Sequence, residues 1–216
     1  MKEEYFTSKN ISLISKEMLE IVQSNKIKKL RKKINIYNSS LIVVDMQKYF
    51  TKRVSHAFIP SSNAIIPRIK KLVKLFLAKN NPVIFTRHID RYYKNNMLLK
   101  WWRDRIRDND DMSFIDERLK FHKTYEILKS QYDSFYGTEL QDILIKNKIK
   151  KVFICGVVAN LCCETTARSA FVRGYEVYFG IDTTAAYSFK HHIATLINIS
   201  YGFGIPFMME DLVNEN

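Results

Sequence analysis

The chain has 216 residues, of which 46% are hydrophobic and 13% aromatic, with 26% charged, six Gly and four Pro. That composition supports one globular domain with a sizeable core and excludes a collagen-like, low-complexity or disordered chain. The net charge, 35 basic minus 22 acidic residues, is +13, which raises nucleic acid or an anionic surface as a partner.

The N-terminus, MKEEYFTSKN, lacks the basic and apolar pattern of a secretory signal, and no stretch reaches 18 uninterrupted apolar residues. Three cysteines, Cys155, Cys162 and Cys163, are an odd number with two adjacent, which suits a reducing compartment. A cytoplasmic protein with no membrane partner is expected.

Residues 12–24 repeat apolar positions at helical spacing and predict an N-terminal helix packed outside the core, within an extension over 1–39. The basic run KIKKLRKK (26–33) follows, with six Lys or Arg in eight positions. A solvated linker or helix face accounts for it; a surface for RNA, DNA or acidic lipid using Lys28, Lys29, Arg31 and Lys32 is the competing reading. No zinc finger, RNP motif or heptad-bearing basic region accompanies it, so no specific nucleic-acid partner is expected.

SLIVVD (40–45) is an apolar, β-branched run closed by an acid, as expected of a strand covered on both faces. Residues 61–79 predict a helix with Ile65, Ile69, Leu72, Val73 and Phe76 on one face, and PVIFTR (82–87) the next strand. From 88 to 128 the pattern weakens around Tyr92, Tyr93, Trp101 and Trp102, which predicts an insertion or lid with short helices. Beyond it come a helix from Thr138 to about Asn147, a strand at 151–156, a helix from near Cys162 to Gly174, a strand at 176–182, a helix over 189–200 and a strand near Pro206–Met209.

Strands alternating with helices imply right-handed crossovers and a mainly parallel, doubly wound sheet with helices on both faces, a three-layer α/β domain over 1–216. In such sheets ligands sit beyond the carboxyl ends of the strands, here just after Asp45, Arg87, Gly156 and Asp182.

Asp45 is delivered to that rim and can be a general base or a carboxylate that caps the next turn. Cys162 falls where a helix begins, and the backbone N–H groups and dipole there favour a thiolate. Cys155 ends a buried strand and Cys163 points about 100° away from its neighbour, so both read as structural.

These residues carry a resemblance. ICGVVANLCCETTARSAFVRGYEV (154–177) resembles the nucleophile region of the isochorismatase-like cysteine hydrolase superfamily, which includes nicotinamidases, carbamoylsarcosine and ureidoacrylate amidohydrolases and the isochorismatases. LIVVDMQKYF (41–50) resembles its strand with the catalytic Asp, and KSQYDSFYGTEL (129–140) its Lys block, all in family order. The resemblance implies a six-stranded, Rossmann-like sheet and a triad of Asp45, Lys129 and Cys162, with Cys162 attacking a carbonyl carbon. It also implies a cis peptide between Val157 and Val158 that aims the N–H of Val158, with that of Cys162, into an oxyanion hole. The comparable family acid at Asp182 organises a loop and stays outside the triad. A homo-oligomer, dimer or tetramer, is implied.

The branches of the family separate on a few residues. Vinyl-ether-cleaving isochorismatases generally carry Gly at the position of Cys162, although the N-terminal extension and SFKHH (188–192) resemble that branch. Nicotinamidases use an Asp and two His to hold a metal; TKRVSHAF (51–58) offers one His, and RHIDRYY (87–93) lacks the second. No metal and no cofactor are therefore expected. For a small-molecule substrate, Arg87, His88, Trp101, Trp102 and Arg103, with Tyr132 and Phe135 near Lys129, are the candidate contacts. The expected function is hydrolysis of a small carboxamide or ureide C–N bond through a thioester; vinyl-ether hydrolysis is the alternative.

Overall fold

A computed structural model of the chain describes residues 2–23, 34–91, 96–102 and 104–213. The basic run 26–33, Tyr92, Tyr93 and Arg103 lie outside the described residues. In chain order the elements are α1 (Ile11–Gln23), β1 (Ser39–Val44), α2 (Lys48–Thr51), α3 (Ser62–Ala78), β2 (Val83–His88), α4 (Leu98–Trp101), β3 (Tyr125–Lys129) and α5 (Leu140–Lys146). They continue with β4 (Lys151–Val157), α6 (Glu164–Val172), β5 (Glu176–Ala185), α7 (Phe189–Gly202), β6 (Ile205–Phe207) and α8 (Met209–Val213).

The six strands form one parallel sheet in the order β3-β2-β1-β4-β5-β6. β1 and β4 are central, and every residue of β1 is buried, which is why its sequence is apolar without alternation. The α3 face that buries Ile65, Ile69, Leu72, Val73 and Phe76 packs on β1, β4 and β5, while α6 and α7 pack on one another and on β5. The N-terminal helix α1 lies against α7 and β5, with Met18 and Val22 fully buried.

Two departures from the sequence-based expectation bear on the site. The weakly patterned stretch 88–128 runs into an edge strand, β3, whose residues Tyr125 and Glu126 are exposed while Ile127 and Lys129 are buried. The strand begins in solvent, so its sequence carries little apolar signal. β5 extends three residues beyond 182, because a register irregularity lets Thr184 and Ala185 rejoin β4 opposite Gly156 and Val157.

Strand order reverses between β1 and β4, where connections leave the sheet toward opposite faces and open a crevice at the carboxyl ends. Asp45 follows β1 directly, and the chain after β4 carries Cys162 to the same crevice.

Candidate active site

Asp45 turns the chain out of β1 with φ 48°, a left-handed conformation that Asp tolerates better than most residues. Its carboxylate and its backbone are held by one neighbour on β2. The Thr86 hydroxyl donates to Asp45 Oδ1 (2.6 Å) and accepts from the Asp45 N–H (3.1 Å). Across the crevice, Gly156 has φ 111°, and a Cβ there would come within 2.1 Å of the Val44 carbonyl oxygen. Only glycine lets β4 approach β1 this closely.

Beyond Gly156 the Val157–Val158 peptide is cis, and Ala159–Cys163 forms one π-helical turn before α6. Cys162 therefore sits in a widened turn preceding the α-helix proper. Lys129 arrives from the opposite edge, at the last residue of β3. Its ammonium lies 2.7 Å from Asp45 Oδ2 and donates to the Gln131 carbonyl (2.9 Å), and both side chains of the ion pair are wholly buried. The Cys162 thiol lies close enough to both for each to shift its titration.

The electrostatics follow from burial set against close charges. Burial works to lower the Lys129 pKa, but Asp45 and Cys162 beside it outweigh that and hold it above the usual lysine value. Burial, reinforced by Asp45 and opposed by Lys129, pushes the Cys162 thiol up to about 12. The thiol sits in the π-helical turn ahead of α6 and not at the N-terminus of that helix, so Lys129 is the group that favours its ionised form. Cys163 is pushed well above the ordinary thiol range and Cys155 is pushed up, both chiefly by burial, and neither lines the cavity.

Cys162 and Val158 form part of the wall of a cavity of about 390 Å³. Its apolar and aromatic wall includes Tyr49, Phe50, Trp102, Tyr132, Leu161 and Tyr187. Two His–carboxylate pairs add polar groups. His88 Nε2 meets Asp90 Oδ1 (3.1 Å), and His56 Nδ1 meets Asp104 Oδ2 (2.9 Å) while its Nε2 meets the Tyr49 hydroxyl (3.1 Å). Burial works to raise the Asp90 pKa, yet His88 and the Ile106 N–H outweigh it and hold the carboxyl below the usual range.

The candidate contacts divide cleanly. His88, Trp102 and Tyr132 line the cavity, the indole N–H of Trp102 donating to the Tyr132 hydroxyl (2.8 Å). Arg87, Trp101 and Phe135 do not. Arg87 is buried in ion pairs with Asp108 and Glu126 under the Phe114 ring, because successive strand residues face opposite sides of the sheet. Trp101 is 73% exposed. Phe135 stacks on Tyr175 with the Arg173 guanidinium over its ring. Asp182 is likewise structural: it pairs with Arg68 (2.6 Å) and accepts from the Met209 N–H (2.9 Å).

Thr86, Tyr49, Tyr187, His56 and Lys2 reach the site without having been singled out as contacts in the sequence. Tyr49 lies inside the Asp45 block and was open to notice. Thr86 is a polar residue in an apolar strand, a weak signal, and Lys2 offered none.

The metal that nicotinamidase relatives of this fold would bring does not fit here. Among the described residues no three His, Cys, Asp or Glu side chains stand close enough to share an ion. Of the three cavity histidines, His56 and His88 are each tied to a separate carboxylate and His191 pairs with the Ser188 hydroxyl. Among the described residues, too, no helix is long and apolar enough to cross a membrane.

A parallel αβα sheet with a buried carboxylate, ammonium and thiol at its switch point defines an isochorismatase-like hydrolase architecture. Residues 39–211 match the Isochorismatase domain family, and the chain belongs to that family. It is 34% identical over 170 residues to Nicotinamidase 3 of Arabidopsis thaliana, across 76% of this chain and 82% of the relative. Among solved structures it resembles a cysteine hydrolase from Pseudomonas syringae pv. phaseolicola 1448A, with a TM-score of 0.78 and 27% identity over 85% of this chain and 94% of that one. N-carbamoylsarcosine amidase from Thermoplasma acidophilum superposes with a TM-score of 0.70 at 25% identity, over 80% and 96% of the two chains.

Proposed function

We propose that the protein is a cysteine hydrolase that cleaves the C–N bond of a small carboxamide or ureide, with Asp45, Lys129 and Cys162 as its catalytic residues. The observation that carries this reading is the 2.7 Å Asp45–Lys129 pair beside a thiol on the cavity wall. Similarity to a nicotinamidase and to an N-carbamoylsarcosine amidase supports the same bond type.

Burial raises the pKa of the Cys162 thiol, so its proton has to be taken up as it attacks. Asp45 accepts that proton while the Cys162 Sγ–carbon bond forms, and Lys129, remaining protonated, offsets the charge. The N–H groups of Val158 and Cys162 receive the oxyanion. Collapse breaks the C–N bond; Asp45 returns the proton to the departing nitrogen, and the carbonyl carbon stays on sulfur as a thioester. Asp45 then takes a proton from water, the hydroxide adds to the thioester, and the acid leaves as Cys162 regains its hydrogen. His88, Trp102 and Tyr132 form the substrate wall.

Incubation with a panel of small amides and ureides, followed by ammonia assay and rapid-quench intact mass, tests the reading. Ammonia release with acyl mass on Cys162 is expected; turnover without any covalent adduct in the Cys162 peptide would count against it. A homo-oligomer is part of the proposal, supported by the exposed apolar side chains Phe171, Val172 and Tyr201 on α6 and α7. Light scattering at the mass of a single chain would refute it.

A further inference from the structure

We infer that Lys2, carried by an N-terminal segment that straps across the cavity mouth, recognises a carboxylate on the substrate. This rests on the proposed cavity reading but concerns the substrate's far end rather than the scissile bond. The segment lies ahead of residues 39–211, so it is an addition to the part matched by the family.

Several contacts fix the strap. The Glu3 N–H donates to the Tyr187 carbonyl (2.9 Å), and the Phe189 N–H at the start of α7 donates to Glu3 Oε2 (2.9 Å). The Tyr5 hydroxyl accepts from the Ala186 N–H (2.8 Å) and pairs with His192 Nδ1 (3.0 Å). Phe6 is fully buried, and its N–H donates to Ser61 Oγ (3.0 Å). A segment held this way delivers its preceding residue to one place.

That residue is Lys2, which lines the cavity with its ammonium 5.1 Å above the Tyr187 ring and donating to the His56 carbonyl. One hydrogen bond leaves two of the three ammonium donors for a ligand. Among the described lining residues Lys2 is the sole Lys or Arg, whereas Asp90 and Asp104 are already engaged by His88 and His56. Lys2 is thus the one permanent cation of the described lining, with ammonium donors left for an anionic group. The aromatic wall formed by Tyr49, Phe50, Trp102, Tyr132 and Tyr187 suits a planar body between that charge and the thiol.

Benzoate and benzamide, titrated calorimetrically into the full chain, separate charge recognition from shape. Lys2→Met, which keeps the stem over Tyr187, is expected to weaken benzoate about threefold to fivefold, the range for a partly exposed charge pair, and benzamide by less than about twofold. Lys2→Arg should restore benzoate binding, and added salt should erode the difference. Equal losses for both ligands, no loss for either, or no benzoate binding to the wild type would each overturn the inference. Failure of the hydrolase reading is distinguishable, since it would show as an absence of acyl-Cys162 and ammonia while the benzoate preference persists.

Discussion

The Lys129 ammonium stands 2.7 Å from the Asp45 carboxylate, and neither side chain has surface open to solvent. Desolvating both ions is tolerable only while both are present. Lys129→Ala is expected to cost about 3–5 kcal/mol of folding stability in urea denaturation, and Asp45→Ala a similar amount, with the double variant less damaged than the sum. Strict additivity would show that the two charges do not support each other. Because the folded state raises the Lys129 pKa, its contribution is complete below the free-lysine value of 10.5 and is lost as pH climbs through the higher folded value.

Cys162 is the one cysteine on the cavity wall, and Cys155 and Cys163 are fully buried. Brief exposure to iodoacetamide should place a single label on Cys162, and peptide mapping that found all three labelled equally would contradict the assignment. Cys162→Ala is expected to lower amide turnover at least about a thousandfold, as removal of a catalytic nucleophile does. Hydrolysis of isochorismate that survived this substitution would favour vinyl-ether chemistry, in which Asp45 serves as the acid and sulfur is dispensable.

Thr86 holds Asp45 through both its carboxylate and its backbone N–H. Hydrogen bonds to a charged group are worth about 1.5–3 kcal/mol, so Thr86→Val should lower kcat about tenfold to a hundredfold while leaving KM close to its original value. Thr86→Ser should recover most of the loss. A change confined to KM would mean that Thr86 acts on binding and not through the base.

His192 is buried, its Nδ1 paired with the Tyr5 hydroxyl and its Nε2 with Thr184 Oγ1 (2.9 Å). Burial lowers its pKa from 6.5 to about 3. The unfolded chain thus binds the extra proton across that window. The stability tied to neutral His192 is whole above 6.5 and falls by about 1.4 kcal/mol per pH unit as the solution is acidified toward the folded value. His192→Gln should flatten the acid limb of the stability profile, measured by urea midpoints from pH 7 to 4. An unchanged slope would refute this.

The legibility of the site in the sequence varied residue by residue. Asp45 was readable because four apolar residues deliver it to the end of a central strand, and Cys162 because it follows another such strand. Lys129 was readable only through its surrounding block, since β3 is an edge strand with a solvated start and no apolar run to announce it. Arg87 and His88 could have been separated by strand alternation alone, which sends them to opposite sides. The Trp101–Trp102 pair offered no such rule: one indole is exposed and the next lines the cavity through the local path of a short helix.

From the amino-acid order alone came the alternating α/β plan, the two central strands and the family to which their end residues point, because burial on both faces imposes an apolar run that is written locally. The tertiary structure alone decided that a lysine from the sheet's edge is fully buried against Asp45, that the thiol joins them on the cavity wall, and that Lys2 lines that cavity. Each of these depends on desolvation and charge at a meeting of segments distant along the chain, and no local pattern records such a meeting.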